Sequence, residues 1–483
     1  EALRRLSLDV KLAELGFNRH QLSAAIGVIV GRMVRPGSEL ATHQWLQQRS
    51  GLGELLDYDF EDLDLNRFYR IAERLLAHHA TLEAFLYRQE CDLFSLSETI
   101  TLYDLTNTFF EGTARRHSKA KHGHSKEKRS DCPLVTLALV LDASGFPKRS
   151  EVFAGNVSEP ETLEKMLQRL APAPGTLAPT VVMDAGIATE ENLVWLRERG
   201  YRYLVVSRER HQQFDPEQAT TIREEGATRI RVQRVLDETA AEVRLYCHSS
   251  AREGKERGII ERFSTRLEAD LNFLAEGLHL PRRVKHYEKV LTRIGRLRQR
   301  YSRVARYYDI RLEKDDASAN AKALHWTRVV PTEDTLPGVY CLRTNQTDWD
   351  DATLWGTYTM LTDLEAVFRS LKSELGLRPV YHQKSSRVDG HLFISVLAYH
   401  LVHTLRLQLK AQGINLSWDS LRDQLDSQER VTVVLHGDDG KIYHIRKATR
   451  PEPHQVTLYN ALGLPHLPGR TEKTVIDLGA KVT

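Results

Sequence analysis

Residues 100–106 read Ile-Thr-Leu-Tyr-Asp-Leu-Thr, and residues 180–184 read Thr-Val-Val-Met-Asp. Each is a short run rich in β-branched or aromatic residues that carries one acid at or near its end. A carboxylate at Asp104, bordered by Leu102 and Leu105, is costly to bury unless charged partners or a metal ion compensate it. Asp184 is followed by the small pair Ala185-Gly186, which lets backbone or a ligand come close. Strand ends in open α/β sheets are where ligands bind. Taken alone, either Asp reads as a loop or helix cap. Two acids on two candidate neighbouring strands read as a metal-binding pair.

Around these runs lie further β-rich stretches at 134–142 (LVTLALVLD) and 148–153 (KRSEVF). Helices are expected at about 160–170 and 190–199, and a strand at 202–206 (RYLVV). Three strands in a row, then alternating helix and strand, predict an α/β fold with a mixed sheet and flanking helices. That is the order of a ribonuclease-H-like core. Residues 1–95 form a helical domain before it, by the spacing of Ile26, Ile29, Val30 and Met33 and of Phe68, Ile71, Leu75 and Leu76. Helix, tight turn at Pro36-Gly37 and helix read either as a DNA-reading unit or as an ordinary small helical domain. The core then occupies 96–207 and resumes at 346–410. Residues 208–345 interrupt it as an α+β insertion, with strands at 228–235, 242–248, 323–330 and 338–343 and helices at about 251–278 and 283–308. Residues 411–483 close the chain with a hairpin signal, 431–435 and 441–445 around Gly437 to Gly440.

A length of 483 residues suits about three domains. The four cysteines stand far apart with no C-x-x-C pair, which argues against a zinc cage or a disulfide framework and fits a reducing cytoplasm. No stretch approaches the roughly 20 apolar residues of a spanning helix, so no membrane partner is expected. Net charge is only +3, but the basic residues are clustered. Residues 115–129 carry seven Arg or Lys against one acid, and 282–306 carry ten against the single acid Glu288. In the second stretch Arg282, Lys285, Lys289, Arg293, Arg296, Arg300 and Arg303 recur at helical steps beside an apolar stripe. A helix packed on one face and cationic on the other fits the DNA backbone.

The third acid comes from the helix TYTMLTDLEAVFRSLKSEL. Leu364, Phe368, Leu371 and Leu375 form its buried stripe, and Glu365, Arg369 and Lys372 share an adjacent face. On the helix alone this reads as an ordinary solvated Glu–Arg pair. His382, His391, His400 and His403 read as core or capping histidines, and Trp326 as a core residue on a strand.

Asp104, Asp184 and Glu365 together resemble the DDE transposases of bacterial insertion sequences, in the group with a Tyr-x2-Arg-x3-Glu-x6-Lys signature. Tyr358, Glu365 and Lys372 fall at the matching spacings, while Leu361 stands at the Arg position, where Arg369 is the nearest substitute. Tyr103 to Thr106, the approach from His124 to Asp131, Phe153 to Asn156, and Leu377 to His382 also look like this group. The resemblance implies a ribonuclease-H-like catalytic core, two Mg²⁺ ions (or Mn²⁺) held by Asp104, Asp184 and Glu365, and DNA contacts from Tyr358, Arg369, Lys372, Lys126 and Arg129. It further implies hydrolysis at element ends, then 3′-hydroxyl strand transfer by a homodimer on double-stranded DNA. The alternatives are a nuclease that cuts without joining, and a non-catalytic DNA-binding descendant.

Overall fold

A computed structural model describes the chain apart from residues 97–98, 113, 116, 124–128, 130, 169–177, 210–213, 238–240, 330–335 and 478–483. The chain divides into two compact units, one of Glu1–Tyr201 with Thr359–Thr483 and one of Arg202–Tyr358.

In the first unit, strands β1 (Ile100–Phe109), β2 (Leu134–Leu141), β3 (Pro147–Ala154) and β4 (Thr180–Met183) lie in the order β3-β2-β1-β4. β1 and β2 pair antiparallel, as do β2 and β3, whereas β4 joins β1 in parallel. Every residue of β2 is buried, as its unbroken run Leu-Val-Thr-Leu-Ala-Leu-Val-Leu requires of a strand covered on both faces. The long helix Ser385–Ala411 packs against β3 and against the N-terminal helices Arg19–Val34 and Leu65–Ala77. It is the one helix among the described residues long and apolar enough to cross a membrane, with mean hydropathy 1.3, and 72% of that apolar window is buried inside the protein. The stripe of Phe68, Ile71, Leu75 and Leu76 lies on the helix Leu65–Ala77, and a second helix, His79–Phe94, follows after His78.

Buried polar groups fasten this helix. His391 Nδ1 accepts from Arg32 Nη2 at 3.0 Å, and Arg32 Nη1 donates to Gly376 O at 3.0 Å. Glu39 Oε1 lies 3.3 Å from the same His391 nitrogen, and Glu39 Oε2 lies 2.8 Å from His382 Nε2. Burial, reinforced by the Arg32 charge, pushes His391 down to about 4. The unfolded chain therefore binds a proton between pH 6.5 and 4 that the fold refuses, and stability from this group falls as the pH falls. The variant His391→Asn lacks that loss. Its stability deficit at pH 7 should shrink by about 2 kcal/mol at pH 5, at about 1.4 kcal/mol per pH unit below 6.5. Urea titrations of both proteins at the two pH values measure this. A deficit that grows on acidification would show instead that Glu39 holds His391 protonated.

In the second unit, β5 (Arg202–Val206), β6 (Thr220–Glu225), β7 (Thr228–Asp237), β8 (Glu242–Ser249) and β11 (Val339–Thr344) make an antiparallel sheet in the order β5-β11-β8-β7-β6. A separate core lies between the helices Ser250–Gly277 and Tyr287–Arg300 and the hairpin of β9 (Tyr308–Lys314) and β10 (Ala321–Arg328). It is built on Leu267, Leu271, Val290, Ile294, Val304 and Leu324, with Trp326 packed against it. The basic helix starts at Tyr287, later than its charge pattern suggested. Arg282 and Lys285 precede it, because Arg282 adopts a left-handed turn at φ 61°.

The rest of the first unit carries the expected hairpin, β12 (Arg430–His436) with β13 (Lys441–Ala448), and a third strand, β14 (Glu472–Asp477), that the hairpin signal did not include.

Candidate active site

The register of the parallel pair β1 and β4 runs from Ile100 opposite Thr180 to Tyr103 opposite Met183. Asp104 and Asp184 occupy the next position on the two chains. Neighbouring strands lie about 4.8 Å apart, so two acids 80 residues apart in sequence come to neighbouring positions where the β1–β4 pairing ends. Asp104 lies in the middle of β1 and not near its end as expected, and Asp184 lies just past β4. Asp104 is half-buried between the buried Tyr103 and Leu105, and Asp184 is exposed. Each carboxylate accepts the backbone N–H of its own successor, Leu105 N to Asp104 Oδ1 and Ala185 N to Asp184 Oδ1, both at 2.7 Å.

A brace that the sequence did not disclose runs beside the pair. The short turn Glu159–Thr162 follows β3. Tyr103 and Thr162 share a hydroxyl hydrogen bond of 2.5 Å, and Thr162 Oγ1 donates to Glu159 O at 2.5 Å. Asn192 Nδ2 donates to Pro160 O at 3.0 Å and to Ile187 O at 2.8 Å, tying the same turn to the loop after Asp184. Burial foremost, with the Asp104 and Glu159 charges adding, pushes the Tyr103 hydroxyl well above its ordinary range.

Glu365 lies on the helix Asp351–Arg369, exposed beside the buried stripe of Leu364, Phe368, Leu371 and Leu375. Arg369 is exposed too. The α-helix ends there and passes into a π-helical turn, Ser370–Glu374, closed by Leu375 N to Ser370 O at 3.0 Å. A π turn holds more residues per turn, so half-buried Lys372 trails around the axis from the face it shares with Glu365 in an uninterrupted α-helix. The nearby acid Glu374 is engaged with Ser370 and with Trp418 N at 3.0 Å, which makes it structural. Beyond the turn the chain returns to β1, with Val380 N to Phe109 O and Glu111 N to Val380 O, both at 3.0 Å. The segment that follows Glu365 is thereby pinned to the strand of Asp104.

The remaining candidates stand in mixed settings. Tyr358 is half-buried, its ring 5.8 Å from that of Tyr340. Arg129 grips Asp131 with two bonds of 2.8 and 2.9 Å and lies 4.5 Å over the Phe109 ring. Lys126 and His124 fall outside the described residues. Arg293, Arg296 and Arg300 are exposed, while Val290 and Ile294 face the core of the second unit.

Among the described residues, the group of three His, Cys, Asp or Glu side chains with ligand atoms within 4.8 Å of one another is Glu39, His382 and His391. Arg32 already serves as its cation, 3.8 Å from Glu39 Oε1 and almost wholly buried. A divalent ion added there would face a fixed buried positive charge. The carboxylates of Asp104, Asp184 and Glu365 are spaced more widely. In two-metal sites the ions lie about 3.5–4 Å apart, so an outer acid need reach only one of them and the ligands need not form so tight a group. All-carboxylate oxygen donors fit a hard cation such as Mg²⁺.

No curated protein shows a match to this chain. The model of the family described as transposase DDE domain matches residues 99–401, from the strand of Asp104 through Asp184 and Glu365 into the long core helix, and the chain belongs to that family of DDE transposases.

Proposed function

We propose that this transposase hydrolyses DNA at the ends of a mobile element and joins the freed 3′-hydroxyl to target DNA, with Asp104, Asp184 and Glu365 holding two Mg²⁺ ions. The observation that carries the reading is the register that brings Asp104 and Asp184 to neighbouring positions where the β1–β4 pairing ends, inside the span of the family match. Ions bound there supply an activated water or 3′-hydroxyl and stabilise the leaving oxygen, and Mn²⁺ can replace Mg²⁺. Half-buried Asp104 and the exposed Asp184 and Glu365 would together hold the ions. Arg369 at the end of the helix of Glu365 and Lys372 in the π-helical turn after it neutralise phosphates next to the cut. The protein acts as a homodimer on paired ends.

Incubating the protein with Mg²⁺ and DNA carrying the ends of its own element, then separating the products, tests this. Joined products are expected. Cleavage without joining would make the enzyme a nuclease, and intact DNA under binding conditions would overturn both.

The exposed arginines of the helix Tyr287–Arg300 are proposed to lie along the DNA backbone. Replacing Arg293, Arg296 and Arg300 with Gln should weaken binding on all sequences alike. It should also make the slope of log K against log salt shallower by up to about three, near one per phosphate contact. Filter binding across a salt series measures it. An unchanged slope in a folded variant would mark the arginines as solvated only.

A further inference from the structure

The loop after Asp184 has an unusual neighbour. A Cβ placed on Gly186 would lie 2.8 Å from Glu159 Oε2, so the Glu159 carboxylate rests directly against this glycine. The turn that carries Glu159 is held at two further points. Thr162 bonds to Tyr103, the residue before Asp104, and Asn192 joins Pro160 to Ile187, the third residue after Asp184. One short turn thus touches the surroundings of both acids, by three contacts that involve different atoms. Residues 103 and 183 are the last of the parallel pair in register. Beyond them the strands no longer hold the two chains together, and Asp104 and Asp184 stand at that position.

We propose that Glu159 is a positioning residue of the catalytic site, bracing the Asp184-Ala185-Gly186 turn so that the Asp184 carboxylate stays beside that of Asp104. This rests on the reading of Asp104 and Asp184 as metal ligands. Two carboxylates side by side repel one another when no ion lies between them, and the exposed one, at the start of a loop, is free to swing out. A rigid support behind the loop keeps the pair converged before the ion arrives, so ion binding need not first reorganise the site. Gly186 is then required for space: any side chain there displaces the carboxylate.

The test reads metal binding directly, as Mn²⁺ taken up by DNA-free protein and followed by electron paramagnetic resonance. Glu159→Gln keeps the volume, removes the charge and weakens the support. It should raise the Mn²⁺ concentration for half-binding about tenfold, the scale expected of residues that orient metal ligands, with an unchanged melting temperature. Gly186→Ala pushes Glu159 aside and should cause a similar loss. Adding Gly186→Ala to Glu159→Ala should cost nothing more, because the contact is already gone. Cleavage by Glu159→Gln should recover at high Mn²⁺, unlike that of Asp104→Asn. Wild-type Mn²⁺ affinity in Glu159→Gln, or fully additive losses in the double variant, would overturn the brace. Wild-type Mn²⁺ affinity in Asp104→Asn would instead overturn the metal-pair reading beneath it. If Gly186→Ala fails to fold, the Glu159→Gln titration decides alone.

Discussion

Asp104→Asn should lower DNA cleavage in Mg²⁺ by about a thousandfold or more, some 4 kcal/mol of barrier, while leaving DNA binding in place. The fold gives the substitution little reason to disturb structure. Asp104 sits on β1 opposite Leu139 of β2, its backbone in a regular ladder, and its Oδ1 accepts the Leu105 N–H. Asn fills the same volume and offers an amide oxygen for that bond. On the proposed reading, what it removes is a negative charge needed to hold the metal ions. The measurement is single-turnover cleavage at saturating protein, with binding followed separately. A variant that cleaves within tenfold of the wild type would remove Asp104 from the metal site.

The second large effect concerns Gly155, in the run Phe153-Ala154-Gly155-Asn156. A Cβ there would fall 2.1 Å from Leu134 O and 2.6 Å from Lys121 O. Both atoms belong to backbone that cannot retreat, because Lys121 and Leu134 are joined by two hydrogen bonds of 3.1 and 2.8 Å, and Gly155 N donates to Lys119 O at 3.0 Å. Gly155→Ala should therefore cost about 3 kcal/mol or more, at or beyond the upper end of ordinary overpacking. It should lower the urea midpoint and separate the end of β2 from the chain at 119–121. An unchanged midpoint would mean that the three backbones are less close than their contacts indicate. The glycine serves packing and not chemistry, although it stands only four residues before Glu159.

Much of this was legible in the sequence, for identifiable reasons. The acids of β1 and β4 stood out because charge in an apolar run is expensive, although β1 runs on to Phe109, three residues past the expected run, which puts Asp104 in mid-strand. The stripe of Leu364, Phe368, Leu371 and Leu375 is buried as its spacing required. The π turn escaped notice, since Ser370 to Glu374 carries no residue that forbids continued α-helix. Glu159 escaped for a different reason. Its contacts are with Gly186 and, through its turn, with Tyr103 and Asn192, and contacts at such separations leave no periodic trace. Likewise Arg32, Glu39, His382 and His391 look ordinary one by one; only tertiary proximity makes them a network. Arg282 misled because charge spacing continues smoothly past the point where the backbone turns.

The unit Arg202–Tyr358 stands between the second and third acids, so Glu365 follows Asp184 by 181 residues. At the usual pace of synthesis, about 5–20 residues per second, that is a delay of roughly 10–35 s. During this interval the growing chain can already pair β1 with β4 and set Asp104 beside Asp184. On the proposed reading it cannot yet cut, because the third carboxylate has not been made. A truncated product of a stalled ribosome is in the same position, with two acids and no scissors. On the proposed reading the interruption therefore acts as a clock: the site is completed only after the inserted unit and the helix of Glu365 have been made.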